Sequence, residues 1–350
     1  MSENMRQTAA QIVQSYDGAP LRIMEVCGTH THEIFRLGIR SLLPPQVDLI
    51  SGPGCPVCVT PVGFIDEALW LAEHGVTIAT FGDLVRVPGT ERSLADARAA
   101  GARVQVVYSP LDALSYAKEH GDEQVTFLSV GFETTVPAAC LVADQALSEG
   151  VENFSLLTAN KTMPNAYAAL RNSADVFLYP GHVHAITGTA LCEDLAKQGV
   201  SGVLAGFTAK ELVTALAVAV RKAQEDKPFF VNAYPRVVRP EGTPAAVALM
   251  DKVMEPVDAE WRGLGVIPGS GLQLRDAYSS IDARKKFEMP HIEGRPNPAC
   301  RCGEVLQGHC KPSDCPLFGK VCTPQHPVGA CMVSGEGACS AYFQYGGGQL

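Results

Sequence analysis

Between residue 21 and about residue 226, short β-rich runs alternate with helical ones, and no other feature of this 350-residue chain restricts its fold as strongly. Strands are expected over 21–26, 47–51, 76–80, 103–108, 125–130, 154–159, 176–179 and 202–205, with helices over 63–74, 111–120, 137–149 and 209–224 among them. Strands joined through a helix pair in parallel, because a tight turn returns the chain only antiparallel. A polar break at 119–124, Glu-His-Gly-Asp-Glu-Gln, divides the strands into two sets of four. The expected fold class is therefore α/β, with two parallel-sheet α/β domains, 21–121 and 122–227, facing a cleft. After Asp226 the texture changes: an extended aromatic run covers 228–240, a helix 243–255, and Pro, Gly and Cys dominate from Met289 onward. Such a segment buries little surface by itself, so a metal centre is expected to stand in for a core. Residues 228–350, joined by 1–20, make up the third, cysteine-rich domain of this expectation.

Hydrophobic residues make up 46% of the chain, enough for ordinary cores. The net charge of −9 and the lack of a dense Lys/Arg patch argue against a nucleic-acid partner. Residues 1–20 are polar and amphipathic, without the apolar centre of a signal peptide. The most apolar stretch, 212–220, is too short to span a bilayer. A cytoplasmic protein is expected, and structural disulfides are rare in that reducing compartment. Its twelve cysteines then read as metal or redox chemistry.

The polar motifs fall just after the expected strands. Cys27-Gly-Thr-His30-Thr-His32 follows the first, Gly52-Pro-Gly-Cys55-Pro-Val-Cys58 the second, Phe81-Gly-Asp83 the third and Gly131-Phe-Glu133 the fifth. Asn160-Lys161, Gly181-His182 and Gly206-Phe207 follow the next three. Open α/β sheets hold their ligands beyond the carboxyl ends of the strands, so two facing edges would form one thiol-lined cleft.

Cys55 and Cys58 have the spacing of a dithiol/disulfide couple, and a helix starting beside them would lower a thiol pKa. The alternative is half of a zinc site, which needs two further ligands. Cys27 reads as a metal-anchoring thiol with His30 and His32 beside it, or as a buried strand-end thiol before two polar helix-start residues. Its place in the same cleft as Cys55 and Cys58 favours the first. Asp83, Glu133 and His182 are acid/base or hydrogen-bonding groups, or plain helix caps. Lys161 and Arg86 would neutralise an anion or form an ordinary ion pair. No Gly-x4-Gly-Lys-Ser/Thr phosphate loop occurs, and Gly263-x-Gly265 does not follow an expected strand–helix turn.

Cys300, Cys315, Cys322 and Cys339 are separated by fourteen, six and sixteen residues. This is neither the compact ferredoxin spacing nor that of a zinc ribbon, so iron–sulfur, zinc and redox-thiol readings stay open. Cys302, Cys310 and Cys331 could each displace one of the four. Cys140 and Cys192 lie in apolar helical runs, where a thiol behaves as a small hydrophobe.

Taken together, these motifs resemble the HypD family of hydrogenase maturation factors. The carriers are Cys27 to His32, Gly52 to Pro61, Phe81-Gly-Asp83 with Val87-Pro-Gly89, Gly131-Phe-Glu-Thr-Thr135, Gly181-His-Val183, Trp261-Arg-Gly-Leu-Gly265, Asp282-Ala283, and Cys322-Thr-Pro with Pro327-Val-Gly-Ala-Cys331 and Glu336-Gly-Ala-Cys339. They run from about residue 20 to the C-terminus. The resemblance implies a 4Fe–4S cluster on Cys300, Cys315, Cys322 and Cys339, an iron-holding thiol at Cys27 and a redox dithiol at Cys55 and Cys58. It implies a HypC-like chaperone, a HypE-like cyanide donor and a transient Fe(CN)2CO unit passed to the large subunit of a nickel–iron hydrogenase. Cys302 and Cys331 would form an intermediate dithiol relay. The protein is then an assembly scaffold with redox activity rather than a conventional turnover enzyme. A ferredoxin-linked dithiol/disulfide oxidoreductase and a zinc-stabilised interaction module are the alternatives. The chain departs from the family pattern at Asn160-Lys161, where an intervening His is missing, at His184, and at Thr208-Ala209, where Glu-Pro is expected.

Overall fold

The computed structural model describes residues 3–225 and 227–346. Met1, Ser2, Asp226 and 347–350, which the expected domain ranges include, lie outside the described residues. The architecture is mixed α/β. One sheet contains β1 (Leu21–Glu25), β2 (Val47–Ser51), β8 (Val176–Pro180), β9 (Ser201–Ala205) and β10 (Phe230–Asn232), in the order β10-β9-β8-β1-β2 and parallel throughout. A second parallel sheet has the order β4-β3-β5-β6, from β3 (Thr77–Thr80), β4 (Val104–Val106), β5 (Val125–Ser129) and β6 (Phe154–Thr158). The third is antiparallel, β11-β12-β7, from β7 (Asn160–Lys161), β11 (Met254–Trp261) and β12 (Gly265–Leu274).

All eight expected strands form, but they do not sort into two sets of four. β3 and β4 join β5 and β6, whereas β1 and β2 join strands that follow residue 170. The polar break at 119–124 is only the turn from the helix Pro110–Glu119 into β5. It is stitched to its own sheet: the Thr77 hydroxyl donates to Glu123 (2.6 Å), and the Asn153 amide donates to the carbonyls of Ala117, His120 and Glu123. The aromatic run after residue 228 also belongs to the first sheet, since β10 extends it beside β9. The N-terminal helix Glu3–Gln14 packs on the helix Ala209–Ala223, where Ala9 and Val13 share a core with Leu212 and Leu216.

Burial follows sheet type. β3, β5, β6 and β8 are buried at every position, as parallel strands covered on both faces should be. β11 alternates between less and more exposed positions, the pattern of an antiparallel strand with one face near water. The cysteine-rich segment has only short helices, Cys302–Leu306, Ala330–Val333 and Ala338–Tyr345. Cys302, Cys322, Cys331 and Cys339 share one core with Met24, Val26, Cys55 and Cys58 at the end of the first sheet. Among the described residues no helix is long and apolar enough to cross a membrane.

Strand order places the motifs. In the first sheet the order reverses between β1 and β8, and in the second between β3 and β5. Ligands bind at such switch points, beyond the carboxyl ends of the strands. Cys27 follows β1, His182 follows β8, Glu133 follows β5 and Asp83 follows β3.

Candidate functional site

Cys27 sits at the N-cap of the helix Gly28–Arg36 in extended conformation (φ −148°, ψ 122°). β1 and β2 pair in register, Glu25 opposite Ser51, so the loops that follow them meet. The Gly28 amide donates to the Gly54 carbonyl (2.9 Å). A Cβ on Gly54 would stand 2.1 Å from the Cys27 nitrogen, so only glycine allows this approach. Cys27 lines an open pocket of about 470 Å³ with Thr29, Gly54, Phe132, His182 and Glu336. Burial pushes its thiol up to about 12, Glu336 and Glu25 reinforce this, and the helix-start amides of His30 and Thr29 oppose it. A thiol held protonated in this way becomes a ligand when a metal cation displaces its proton.

Around it the expected residues divide. His182 lines the pocket and stacks on Phe207, with ring centroids 3.8 Å apart. His30 is buried, its ring centroid 4.8 Å from that of Phe207, with Nε2 donating to the Gly206 carbonyl (3.0 Å) and Nδ1 unpartnered. Burial lowers its pKa to about 4, so the ring is neutral. Glu133 is buried beside the lining residues Phe132 and Thr134; Oε1 accepts from the Met163 amide (2.9 Å) and Oε2 has no partner. Burial raises its pKa to about 7. Asp83 stands outside this pocket, on the exposed turn Gly82–Val85, where it accepts from the Ser334 hydroxyl (3.0 Å) and braces the cysteine-rich segment.

The thiols form a line. Cys55 caps the helix Pro56–Val59, its sulfur accepting from the Cys58 amide (3.2 Å). Cys58 faces Cys331, which in turn faces Cys302. Cys302 also borders Cys339, and its sulfur accepts from the Cys300 thiol at 3.2 Å. Proximity to Cys302 and Cys58 pulls the Cys331 thiol below its ordinary pKa, and burial pushes Cys58 above it.

Cys300, Cys315, Cys322 and Cys339 line one small pocket together with Cys302, Val305, Leu317, Phe318 and Met332. Cys310 does not line it. Among the described residues no group of three or more His, Cys, Asp or Glu side chains is arranged to hold a metal ion. The thiols close on one another and leave about 10 Å³, the space of scarcely one water. The donor set still fits an iron–sulfur cluster: it is all sulfur, and Val305, Leu317, Phe318 and Met332 surround it with apolar side chains.

Two groups escaped the sequence reading of the site. Glu336 lies in the pocket at the far end of the chain and accepts from the Thr29 hydroxyl (2.7 Å). Its only signal was its place in Glu336-Gly-Ala-Cys339. Glu25, fully buried under Cys27, accepts from the Thr31 hydroxyl (2.6 Å) and the Cys27 amide (3.4 Å); burial raises its pKa to about 8. A charged residue inside the apolar run 21–26 was the available clue. The departures from the family pattern are well accommodated. Lys161 is buried over the Trp261 ring (5.7 Å), and His184 is buried against Cys192 (3.4 Å). Thr208 and Glu211 form a reciprocal helix cap, with Glu211 also accepting from the Phe207 amide.

Fold and site together define a mixed α/β protein in which a sheet-end pocket holding Cys27 lies beside the Cys55 loop, from which a line of cysteines runs to a second, cysteine-lined pocket. The family model HypD, described as the hydrogenase formation hypA family, matches residues 3–346. The chain is 43% identical over 350 residues to the hydrogenase maturation factor HypD of Escherichia coli (strain K12), covering 98% of this chain and 94% of that protein. It is 42% identical over 355 residues to the hydrogenase maturation factor HypD of Azotobacter vinelandii, covering 97% and 94%. It is 43% identical over 355 residues to the hydrogenase expression/formation protein HupD of Azotobacter chroococcum mcd 1, again covering 97% and 94%. The chain belongs to the HypD family of hydrogenase maturation factors.

Proposed function

We propose that this chain is the scaffold on which the iron–diatomic unit of nickel–iron hydrogenase is assembled, with the iron held as cargo by Cys27. The observation that carries this reading is the placement of Cys27 at the switch point of a parallel sheet, in an open pocket, one backbone contact from the Cys55/Cys58 loop. Cyanide and carbon monoxide are strong-field ligands that favour low-spin ferrous iron. A single protein thiolate leaves coordination positions for them and for a HypC-like chaperone docked over the pocket. A HypE-like donor supplies the cyanide, and the finished unit goes on to the hydrogenase large subunit. His182 and Thr29 offer polar groups at the pocket wall, and neutral His30 buttresses the Phe207 ring behind them.

Cys300, Cys315, Cys322 and Cys339 would hold a 4Fe–4S cluster, which when bound supplies one-electron redox capacity. Cys55 and Cys58 act as a dithiol: closing their disulfide releases two electrons and two protons. Cys331, beside Cys58, and Cys302, on the wall of the cysteine-lined pocket, are suited to a second such couple. In this reading the two parallel sheets and the cysteine-rich segment act as three working parts around a cleft. The same line of thiols favours one other function, a ferredoxin-linked dithiol/disulfide oxidoreductase, which would reduce a protein disulfide without any chaperone.

The deciding experiment is infrared spectroscopy of the protein purified without oxygen with its HypC-like partner, beside Cys27→Ala. Metal-bound cyanide and carbonyl stretches that vanish in the variant are expected. Their absence from wild-type protein, in cells making active hydrogenase, would shift the assignment to the oxidoreductase. Acid-labile sulfide separates both from a zinc-stabilised module, which has none.

A further inference from the structure

We propose that Arg262 raises the reduction potential of the cluster held by Cys300, Cys315, Cys322 and Cys339, its buried guanidinium setting an unpaired N–H and a positive charge in the cavity that Cys300 also lines. The inference rests on reading those four thiols as cluster ligands. Arg262 lies in Trp261-Arg-Gly-Leu-Gly265, the turn between β11 and β12 that no dinucleotide role explains. This turn is clamped on two sides. The Arg262 amide donates to the Val59 carbonyl and its Nε to the Thr60 carbonyl, both at 2.8 Å, which fixes it to the dithiol segment. On the other side, Gly263 (φ +77°) lies so close to Gly303 that a Cβ would approach the Gly303 Cα to 2.2 Å, and Gln307 donates to the Gly263 carbonyl (2.9 Å).

The side chain between these anchors is only 9% exposed, and its Nη2 has no hydrogen-bond partner. It lines a cavity of about 1050 Å³ together with Cys300, Cys302 and Gly329. A buried cationic N–H left unpaired is costly unless an anion faces it. A thiolate-ligated cluster is anionic and becomes more so on reduction, so a fixed cation in a cavity lined by one of its ligands favours the reduced form. Arg301 borders the same cysteines but is 45% exposed and lies 3.8 Å from Glu304, so water and that carboxylate screen it.

The test is an EPR-monitored redox titration of the full chain, purified without oxygen and counted for iron and acid-labile sulfide. Arg262→Gln should keep wild-type iron and sulfide content and titrate at a more negative potential. Arg262→Lys should recover part of the shift, and Arg301→Gln should move the potential less than Arg262→Gln does. An Arg262→Gln protein that keeps its cluster and titrates with wild type overturns the proposal. Wild-type protein without acid-labile sulfide overturns the cluster reading beneath it. Should both Arg262 variants lose the cluster, Arg301→Gln protein carrying guanidino-15N arginine supplies the answer by pulsed EPR. A nitrogen coupling to the reduced cluster supports the assignment, and its absence overturns it.

Discussion

Glu133 shows how one side chain imposes a pH dependence on the whole fold. Its pKa stands at about 7 against an ordinary 4.5, because burial penalises the carboxylate more than the Met163 amide compensates. A raised carboxylate pKa adds stability below the free-chain value, and that stability is lost as pH rises through 7. Glu133→Gln removes the ionisable group while retaining an acceptor for Met163. At pH 8 it should be the more stable protein by about 1–3 kcal/mol, and the gap should close as pH falls toward 4.5. Melting curves coinciding with wild type at every pH would refute this. Gly54 is a steric counterpart. In Gly54→Ala the new methyl meets the Cys27 backbone and must part the two loops, at a cost of several kcal/mol, about 3. The cyanide and carbonyl bands should disappear along with that stability; retention of both bands would count against the shared pocket.

At the scale of elements, helix starts do much of the positioning. Cys27, Cys55 and Thr208 all occupy N-caps, so thiols and hydroxyls stand where unpaired amides converge. Thr208 replaces the expected family residue yet keeps the helix Ala209–Ala223 fully capped, since Glu211 returns to the Thr208 and Phe207 amides. Thr208→Ala should cost about 1 kcal/mol in urea denaturation. The stack of His182 on Phe207 links this cap to the Cys27 pocket, so the same variant should also weaken, without abolishing, iron-unit assembly. Strand and helix spans were readable from short local signals: β5 and β6 are mostly apolar runs in which only small hydroxyl residues, Thr126, Ser129, Ser155 and Thr158, intervene, and the helix Pro110–Glu119 opens with Ser109 and Asp112 as a reciprocal cap. The two-residue β7 was not readable, because Asn160-Lys161 carries no period and pairs only where β12 happens to pass.

Across the whole molecule, the cysteine-rich segment has few regular elements and shares its core with the first sheet. Removing the proposed cluster should therefore loosen 300–346 selectively. Hydrogen exchange after chelation should show those amides exchanging faster while β5 and β6 keep their protection; uniform loss would mean that the metal centre supports the whole fold. The residue types themselves determined much of this protein. They set the α/β class, eight of the nine strands of the parallel sheets, and the thiols placed just beyond strand ends. Only the tertiary structure decided which strands join which sheet, that Cys58 faces Cys331, that Glu336 lines the Cys27 pocket, and that Arg262 shares a cavity with Cys300. Hydrophobic period and capping act over a few residues and leave their mark locally. Parallel strand pairing uses backbone groups that every residue carries, so partners from distant parts of the chain meet without leaving any sign of it in the order of amino acids.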